Sequence, residues 1–258
     1  MNPRLRIALA FAPRAALVWC GACNAIVGNE SVELDPKFTD GGTTEPQLVG
    51  YWTFDEGMGE TLLDKSGNGN DGQLSNGPTW TEGALVFDGI DDAVRVRSSD
   101  TLDDLRPMTA IVKMTANSVG ELELGRILSK EGSTADRPGR WVLLVGGERG
   151  LKFIKDCADG EMRRGTVAGA FQLAQPQNVA MTWDGTTSAS GVHMYVNAEE
   201  VGYDPQSQDG QGSITSDATL DVVIGNSALG DRTFDGSIDE IRLYRGVLSA
   251  ADIATLAK

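Results

Sequence analysis

The stretch Ala93-Val94-Arg95-Val96-Arg97 sets valines against arginines in strict alternation. A period of two puts the valines on one side and the arginines on the other, so the run reads as a half-buried β-strand. Outward from it the chain repeats one theme, a short β-rich run closed by a Gly, Asn or Asp turn. Upstream the expected strands are Val49–Phe54 and Ala84–Phe87. Downstream they are Met108–Thr115, Arg126–Lys130, Trp141–Val145, Leu151–Lys155, Asn178–Trp183, Val192–Asn197, Leu220–Ile224 and Ser237–Tyr244. The 32 glycines are scattered without a repeat, which suits many turns between short strands. One helix is expected, at the C-terminus. Ser249 stands as its cap with Asp252 three residues on, and Leu248, Ile253 and Leu256 supply an apolar face. Many strands plus one terminal helix imply an all-β fold of two packed antiparallel sheets. At 258 residues, with 40% apolar side chains, the chain can form one large sandwich with a real core.

Net charge is −15. Residues 1–22 hold Arg4, Arg6 and Arg14 and no acid, so the remainder sets 19 basic against 37 acidic side chains, a net −18. Such a surface repels phosphate backbones, which excludes nucleic acid as a partner. It suits a soluble extracellular domain or one that binds a cation. The N-terminus reads as an export signal: Arg4 and Arg6, then the apolar runs Ile7–Ala12 and Ala15–Trp19, then Cys20-Gly21-Ala22-Cys23. The runs are too short and broken to span a membrane. This ending resembles a bacterial lipoprotein signal. That resemblance implies export to the outer membrane or cell surface, with cleavage before a lipidated cysteine. Cys23 follows two small residues and fits better than Cys20, with plain secretion and a misassigned start codon as the other readings. Residues 1–22 are then the signal, 23–47 a flexible tether rich in Gly, Thr and Asp, and 48–258 the folded domain. With Cys23 acylated, Cys157 has no internal partner and is read as a structural thiol.

Within residues 48–258 a second set of motifs recurs in order. They are Gly50-Tyr51-Trp52-Thr53-Phe54-Asp55, Asp64-Lys65-Ser66-Gly67-Asn68-Gly69-Asn70-Asp71-Gly72, Phe87-Asp88-Gly89-Ile90-Asp91-Asp92, Val179–Gly185, Met194–Asn197 and Phe234–Tyr244. In that order they resemble the laminin-G-like jelly-roll domains of the concanavalin A-like lectin/glucanase superfamily. Three departures stand out: Val112-Lys113 and Gln175-Pro176-Gln177 replace tryptophan-bearing positions, and Asn197-Ala198 replaces an Asn-Gly turn. The last forces a non-glycine residue into a turn that favours positive φ, at a cost of about 1 kcal/mol.

Hard cations need several oxygen ligands gathered from loops, and Asp55, Asp64, Asn70, Asp71, Asp88, Asp91, Asp92, Asp235 and Asp239 concentrate oxygen near these motifs. The resemblance implies a structural calcium, with Asp239 as first ligand, Asp55 next, and Asn70 and Asp64 behind. Asp88 and Asp235, each within Phe-Asp-Gly, look more like turn formers. For a sugar, Trp80, Trp141 and Tyr203 lie at or near loops and are the candidate platforms, while Trp52 and Trp183 read as core. Catalysis has little support. Glycosidases need two carboxylates across the scissile bond, and Glu121-Leu122-Glu123-Leu124-Gly125 lacks the third acid of the superfamily's catalytic strand. The expectation is a non-catalytic, lipid-anchored module binding glycan or extracellular matrix. The alternative is a protein-binding or structural module of the cell envelope, and a glycoside hydrolase is the least favoured reading.

Overall fold

The computed structural model describes residues 45–132 and 139–257. The signal, Cys23 and most of the tether lie outside them. In chain order the strands are β1 (Gln47–Trp52), β2 (Thr61–Leu62), β3 (Gly72–Ser75), β4 (Thr79–Thr81), β5 (Ala84–Asp88), β6 (Ala93–Val96), β7 (Met108–Ala116) and β8 (Arg126–Lys130). There follow β9 (Trp141–Gly146), β10 (Gly150–Cys157), β11 (Gly160–Gly165), β12 (Pro176–Trp183), β13 (Val192–Val196), β14 (Glu199–Glu200), β15 (Val222–Ile224), β16 (Asp235–Arg245) and the helix α1 (Ala250–Leu256). All pairings are antiparallel and form two sheets. The first runs β14-β13-β12-β7-β16-β5-β4, with β1 also on β16; the second runs β11-β10-β9-β8-β15-β6-β3-β2.

Alternation decides what each sheet buries. Val94 and Val96 are fully buried, whereas Arg95 turns outward and donates to Ala228 O at 2.8 Å. On β12, Val179, Met181 and Trp183 enter the main core, while Ala180 faces out and joins Ile111 and Tyr195 beneath α1. Ser249 and Asp252 close the expected capping box. Leu248 and Ile253 pack onto this outer face of the first sheet, and burying a side chain of that size contributes about 1.5–3 kcal/mol. The β13–β14 turn carries positive φ at both Asn197 (51°) and Ala198 (68°), the conformation expected for an Asn-Gly position that lacks its glycine.

Four short strands (β2, β3, β4 and β14) and β11 carry no alternation strong enough to be read from sequence. β11 is Gly-Glu-Met-Arg-Arg-Gly with Met162 as its one core side chain. Lys130 and Lys155 are buried on either side of Trp141 in the strand register. Lys130 Nζ bonds Leu102 O, Asp103 and Asp217, and Lys155 Nζ bonds Gly139 O at 2.7 Å and Asp217 at 3.4 Å. Burial pushes the Lys155 amine below its ordinary range, although Asp217 opposes the shift.

Candidate functional site

Glycine opens a groove at one end of the second sheet. β9 ends on Gly146, the turn Gly147–Arg149 follows with positive φ at Glu148 and Arg149, and β10 begins on Gly150. Across β10, Lys152 stands opposite Gly165 at the end of β11. The free edge of β11 is occupied by residues 202–208. Asp204 N donates to Gly165 O at 2.9 Å, Val167 N to Gly202 O at 2.9 Å, and Arg163 and Gln208 exchange two backbone bonds of 2.8 Å. This rung holds Asp204 and Gln206 at the rim. The groove has a volume of about 420 Å³, with Gly146, Gly147, Gly150 and Gly165 leaving it open and Glu148, Lys152, Asp204 and Gln206 as polar side chains on its lining. A hollow of about 70 Å³ continues it past Arg163 and Ser207. Thr166 lines the groove but is engaged: its hydroxyl accepts from Leu151 N and donates to Val167 O.

Lys152 and Asp204 flank Gly165 without pairing. A Cβ built on Gly165 would lie 3.8 Å from Lys152 Cε and 3.6 Å from Asp204 Oδ2. Asp204 Oδ1 accepts from Gln206 N at 2.8 Å, while Lys152 Nζ has no partner among the described residues. None of these residues stands out in the sequence. The one available signal is Gly146-Gly147-Glu148-Arg149-Gly150, three glycines in five residues between two apolar strands.

The aromatic residues expected as sugar platforms fall in three different environments. Trp141 corrects the reading: it shares its parity on β9 with Leu143 and Val145, faces the interior and is fully buried, so it presents no platform. Trp80 is half-buried on edge strand β4, and its indole N–H donates to Gly59 O at 2.8 Å. Tyr203 adjoins the groove, but Arg164 stacks 3.6 Å from its ring centre and its hydroxyl donates to Glu200 at 2.7 Å. Burial and this Glu200 bond raise the Tyr203 pKa. The expected core residues Trp52 and Trp183 are buried.

The acids expected as calcium ligands are also dispersed. Asp64 accepts four hydrogen bonds: Tyr51 N at 3.0 Å and Ser66 N at 2.9 Å on Oδ1, and Ser66 Oγ at 2.7 Å and Asn70 N at 3.0 Å on Oδ2. A carboxylate offers about four acceptor sites, so none remains for a cation. Burial pushes the Asp64 pKa up, but the bonds from Ser66, Asn70 and Tyr51 outweigh it and hold the group below its ordinary value. Asn70 is likewise used: its amide donates to Val49 O and Thr101 Oγ1, and its oxygen accepts from Ser99. Asp239 lies 3.9 Å from Lys113, and burial raises its pKa despite that ammonium. Asp55 is exposed near Gly83. Among the described residues the converging acids are Asp88, Asp91 and Asp92, whose carboxylate oxygens lie within 4.8 Å of one another. Asp88 also shows the expected turn-forming bond, accepting from Ile90 N at 2.8 Å. Burial raises the Asp92 pKa and the charges of Asp88 and Asp91 add to it, against a backbone bond from Asp88. Glu121–Glu123 form a single 3-10 turn with positive φ at Leu122 and Glu123, not a strand of alternating acids.

Two sandwiched antiparallel sheets with this terminal helix match a known family model, concanavalin A-like lectin/glucanases superfamily, over residues 88–254. The chain belongs to that superfamily. No curated protein matches it by sequence. Among solved structures, this superfamily member is similar to Trypanosoma rangeli sialidase in complex with sialic acid, at 15% identity and a TM-score of 0.60, covering 81% of this chain and 32% of the sialidase. It thus spans about a third of the first structures it matches. It is also similar to domain 4 of AbnA, a GH43 extracellular arabinanase from Geobacillus stearothermophilus, in complex with arabinotriose. That match has 16% identity and a TM-score of 0.52, covering 83% of this chain and 100% of that domain. A third neighbour is the binding domain of Paraclostridial Mosquitocidal Protein 1, at 12% identity and a TM-score of 0.57, covering 81% of this chain and 51% of that one. At these identities the likenesses establish the sandwich fold.

Proposed function

We propose that this protein is a non-catalytic, exported and lipid-anchored recognition module that binds a glycan in the groove beside Gly165. The carrying observation is that the fold does not require three of the four groove glycines. A Cβ on Gly146, Gly150 or Gly165 would meet nothing closer than 3.5 Å, and none of the three has a left-handed φ. Their bareness serves the space above them. About 420 Å³ lies within the usual range for small-ligand sites. Its polar rim of Lys152, Asp204 and Gln206 offers both donors and acceptors to a polyol. The AbnA domain, solved with arabinotriose, is a precedent for a saccharide on a sandwich of this shape.

Gly165→Val fills the groove with two methyl groups at no backbone cost. Isothermal titration of the purified chain against a panel of neutral and acidic oligosaccharides should find a ligand for the native protein and at least tenfold weaker binding for Gly165→Val. A panel without any ligand would overturn the glycan reading in favour of a protein-binding envelope module. The anchor is assigned to Cys23, and Cys23→Ala should release the protein from the membrane fraction. A structural calcium, the best match to an all-oxygen donor set, is assigned to Asp88, Asp91 and Asp92. Asp64 and Asn70 are consumed by the protein's own donors, and Asp239 is set against Lys113.

A further inference from the structure

We infer that the groove selects saccharides carrying an anionic group, a carboxylate or a sulfate, and that Lys152 reads this charge. The inference rests on the groove being a saccharide site and adds the class of sugar it takes. Among the described residues, every buried or half-buried lysine or arginine has a partner, except Lys152. Lys130 and Lys155 are tied to Asp217, Arg126 to Glu131, Arg140 to Asp156 and Arg242 to Glu240. The remainder hold carbonyls, a neighbouring acid or, for Arg164, an aromatic ring. A half-buried ammonium has lost part of its hydration, and such groups are ordinarily paired. Lys152 is half-buried, lines the cavity and makes no hydrogen bond or ion pair among the described residues.

The nearest acid does not satisfy it. Asp204 stands on the other side of Gly165, its Oδ1 occupied by the Gln206 amide, and no ion pair forms between the two side chains. The gap over Gly165 therefore has a cation on one wall and a carboxylate on the other. An acidic sugar matches that pattern. Its anionic group meets Lys152 while a neighbouring hydroxyl donates to Asp204 Oδ2, and the bare backbone of Gly165 lets the ring lie flat between them. The surroundings limit the charge density accepted. The chain carries −15 overall, and Glu148 and Asp204 share the rim. A ligand with one charge per sugar unit and free hydroxyls is favoured over a densely charged polymer.

Matched ligands separate charge from shape. The intact chain is titrated with trigalacturonate and its methyl ester, which differ only in the carboxylates, and with a κ-carrageenan oligosaccharide and its desulfated form. The acidic member of at least one pair should bind about tenfold or more tightly than its neutral partner, a difference of about 1.4 kcal/mol. The preference should shrink with added salt. Lys152→Met keeps the aliphatic stem and should erase the preference, whereas Lys152→Arg should retain most of it. The pair that shows the preference names the anion. Equal binding of both members, or a preference that survives in Lys152→Met, overturns the charge reading while leaving the saccharide site standing. Absence of binding by all four ligands also overturns it. If neutral glycans fail in the same titrations, the saccharide site falls with it.

Discussion

The glycines of the groove and those of the strand junctions look alike in sequence and do opposite work. Gly225 and Gly236 sit where the backbone has a left-handed or strained φ, +78° and +148°. A Cβ would lie 2.1 Å from the Phe87 ring at Gly225 and 2.1 Å from the Thr115 carbonyl at Gly236. Those glycines exist because the protein comes too close to itself. Around Gly146, Gly150 and Gly165 a Cβ meets only ordinary van der Waals distances, so these glycines leave room for something else. The difference separates residues needed to fold from residues free to serve a ligand.

The sharpest way to break this comparison is to add one methyl group on each side of it. Gly236→Ala must displace the backbone of β7 in the middle of the first sheet, and should lose about 3 kcal/mol or more in urea unfolding. Gly165→Ala should stay within about 0.5 kcal/mol of the native protein, because the added Cβ meets only ordinary contact distances and the φ is not left-handed. Equal losses at the two sites would remove the basis for calling the groove glycines free.

Carboxylates divide in the same way, and the next effect comes from the acid that folding has claimed. Asp64 joins β1 to the 64–71 loop through four hydrogen bonds, three of them from backbone N–H groups. Asp64→Ala leaves those donors without their charged acceptor and should cost about 2–3 kcal/mol. The sign of its pH dependence follows from its lowered pKa. Its contribution is complete above the unfolded carboxylate pKa and is lost as pH falls through the lower folded value. The acid limb of the native stability curve, at and below about pH 4, should therefore flatten in Asp64→Asn. An unchanged limb would mean that other acids control acid unfolding.

Why the fold was legible and the groove was not follows from these same residues. Val94 and Val96 alternate with outward arginines because one side of β6 meets the core, so the period survives in the sequence. The Ser249–Asp252 capping box and the strained Asn197-Ala198 turn are local, and local chemistry can be read without tertiary knowledge. On β9 both faces are covered, Val142 and Leu144 on one and Trp141, Leu143 and Val145 on the other. Uniform burial erases the alternation, which is why Trp141 could not be assigned to the interior. The groove depends on residues 202–208 pairing along the edge of β11, opposite Lys152 on β10, a contact between segments about forty positions apart that no short motif announces. Asp64 was singled out for its oxygens; only the structure reveals that the backbone had already taken them.

A smaller effect comes from the converse of the groove, a turn that lacks the glycine it favours. Ala198 adopts φ 68° between Asn197 and Glu199, where the two-residue connection needs positive φ at both positions. Ala198→Gly should relieve that strain and raise stability by about 0.5–1 kcal/mol, less the added flexibility of the unfolded chain. Thermal unfolding would register this as a rise of a few degrees. A fall would show that Ala198 makes a compensating contact.

The smallest expected effect tests the acids that converge at Asp88, Asp91 and Asp92. Asp92 Oδ2 accepts from Asp88 N at 2.8 Å, but burial and the neighbouring charges of Asp88 and Asp91 raise its pKa. A carboxylate with a raised folded pKa favours the native state below its unfolded pKa, and that contribution is lost as pH rises through the folded value. At neutral pH without divalent ions the cluster is thus mildly destabilising. Asp92→Asn keeps an acceptor for Asp88 N, removes one charge and should stabilise the calcium-free protein slightly, within about 0.5 kcal/mol. Calcium reverses the order: added to the native protein it should raise the melting temperature, and the rise should be lost in Asp92→Asn but kept in Asp239→Ala. A calcium shift that vanishes in Asp239→Ala would move the ion to the final strand. A melt that ignores both calcium and chelator would leave Asp88, Asp91 and Asp92 as an acidic turn without an ion, whose repulsion the sandwich tolerates because Asp88 and Asp91 are exposed to water.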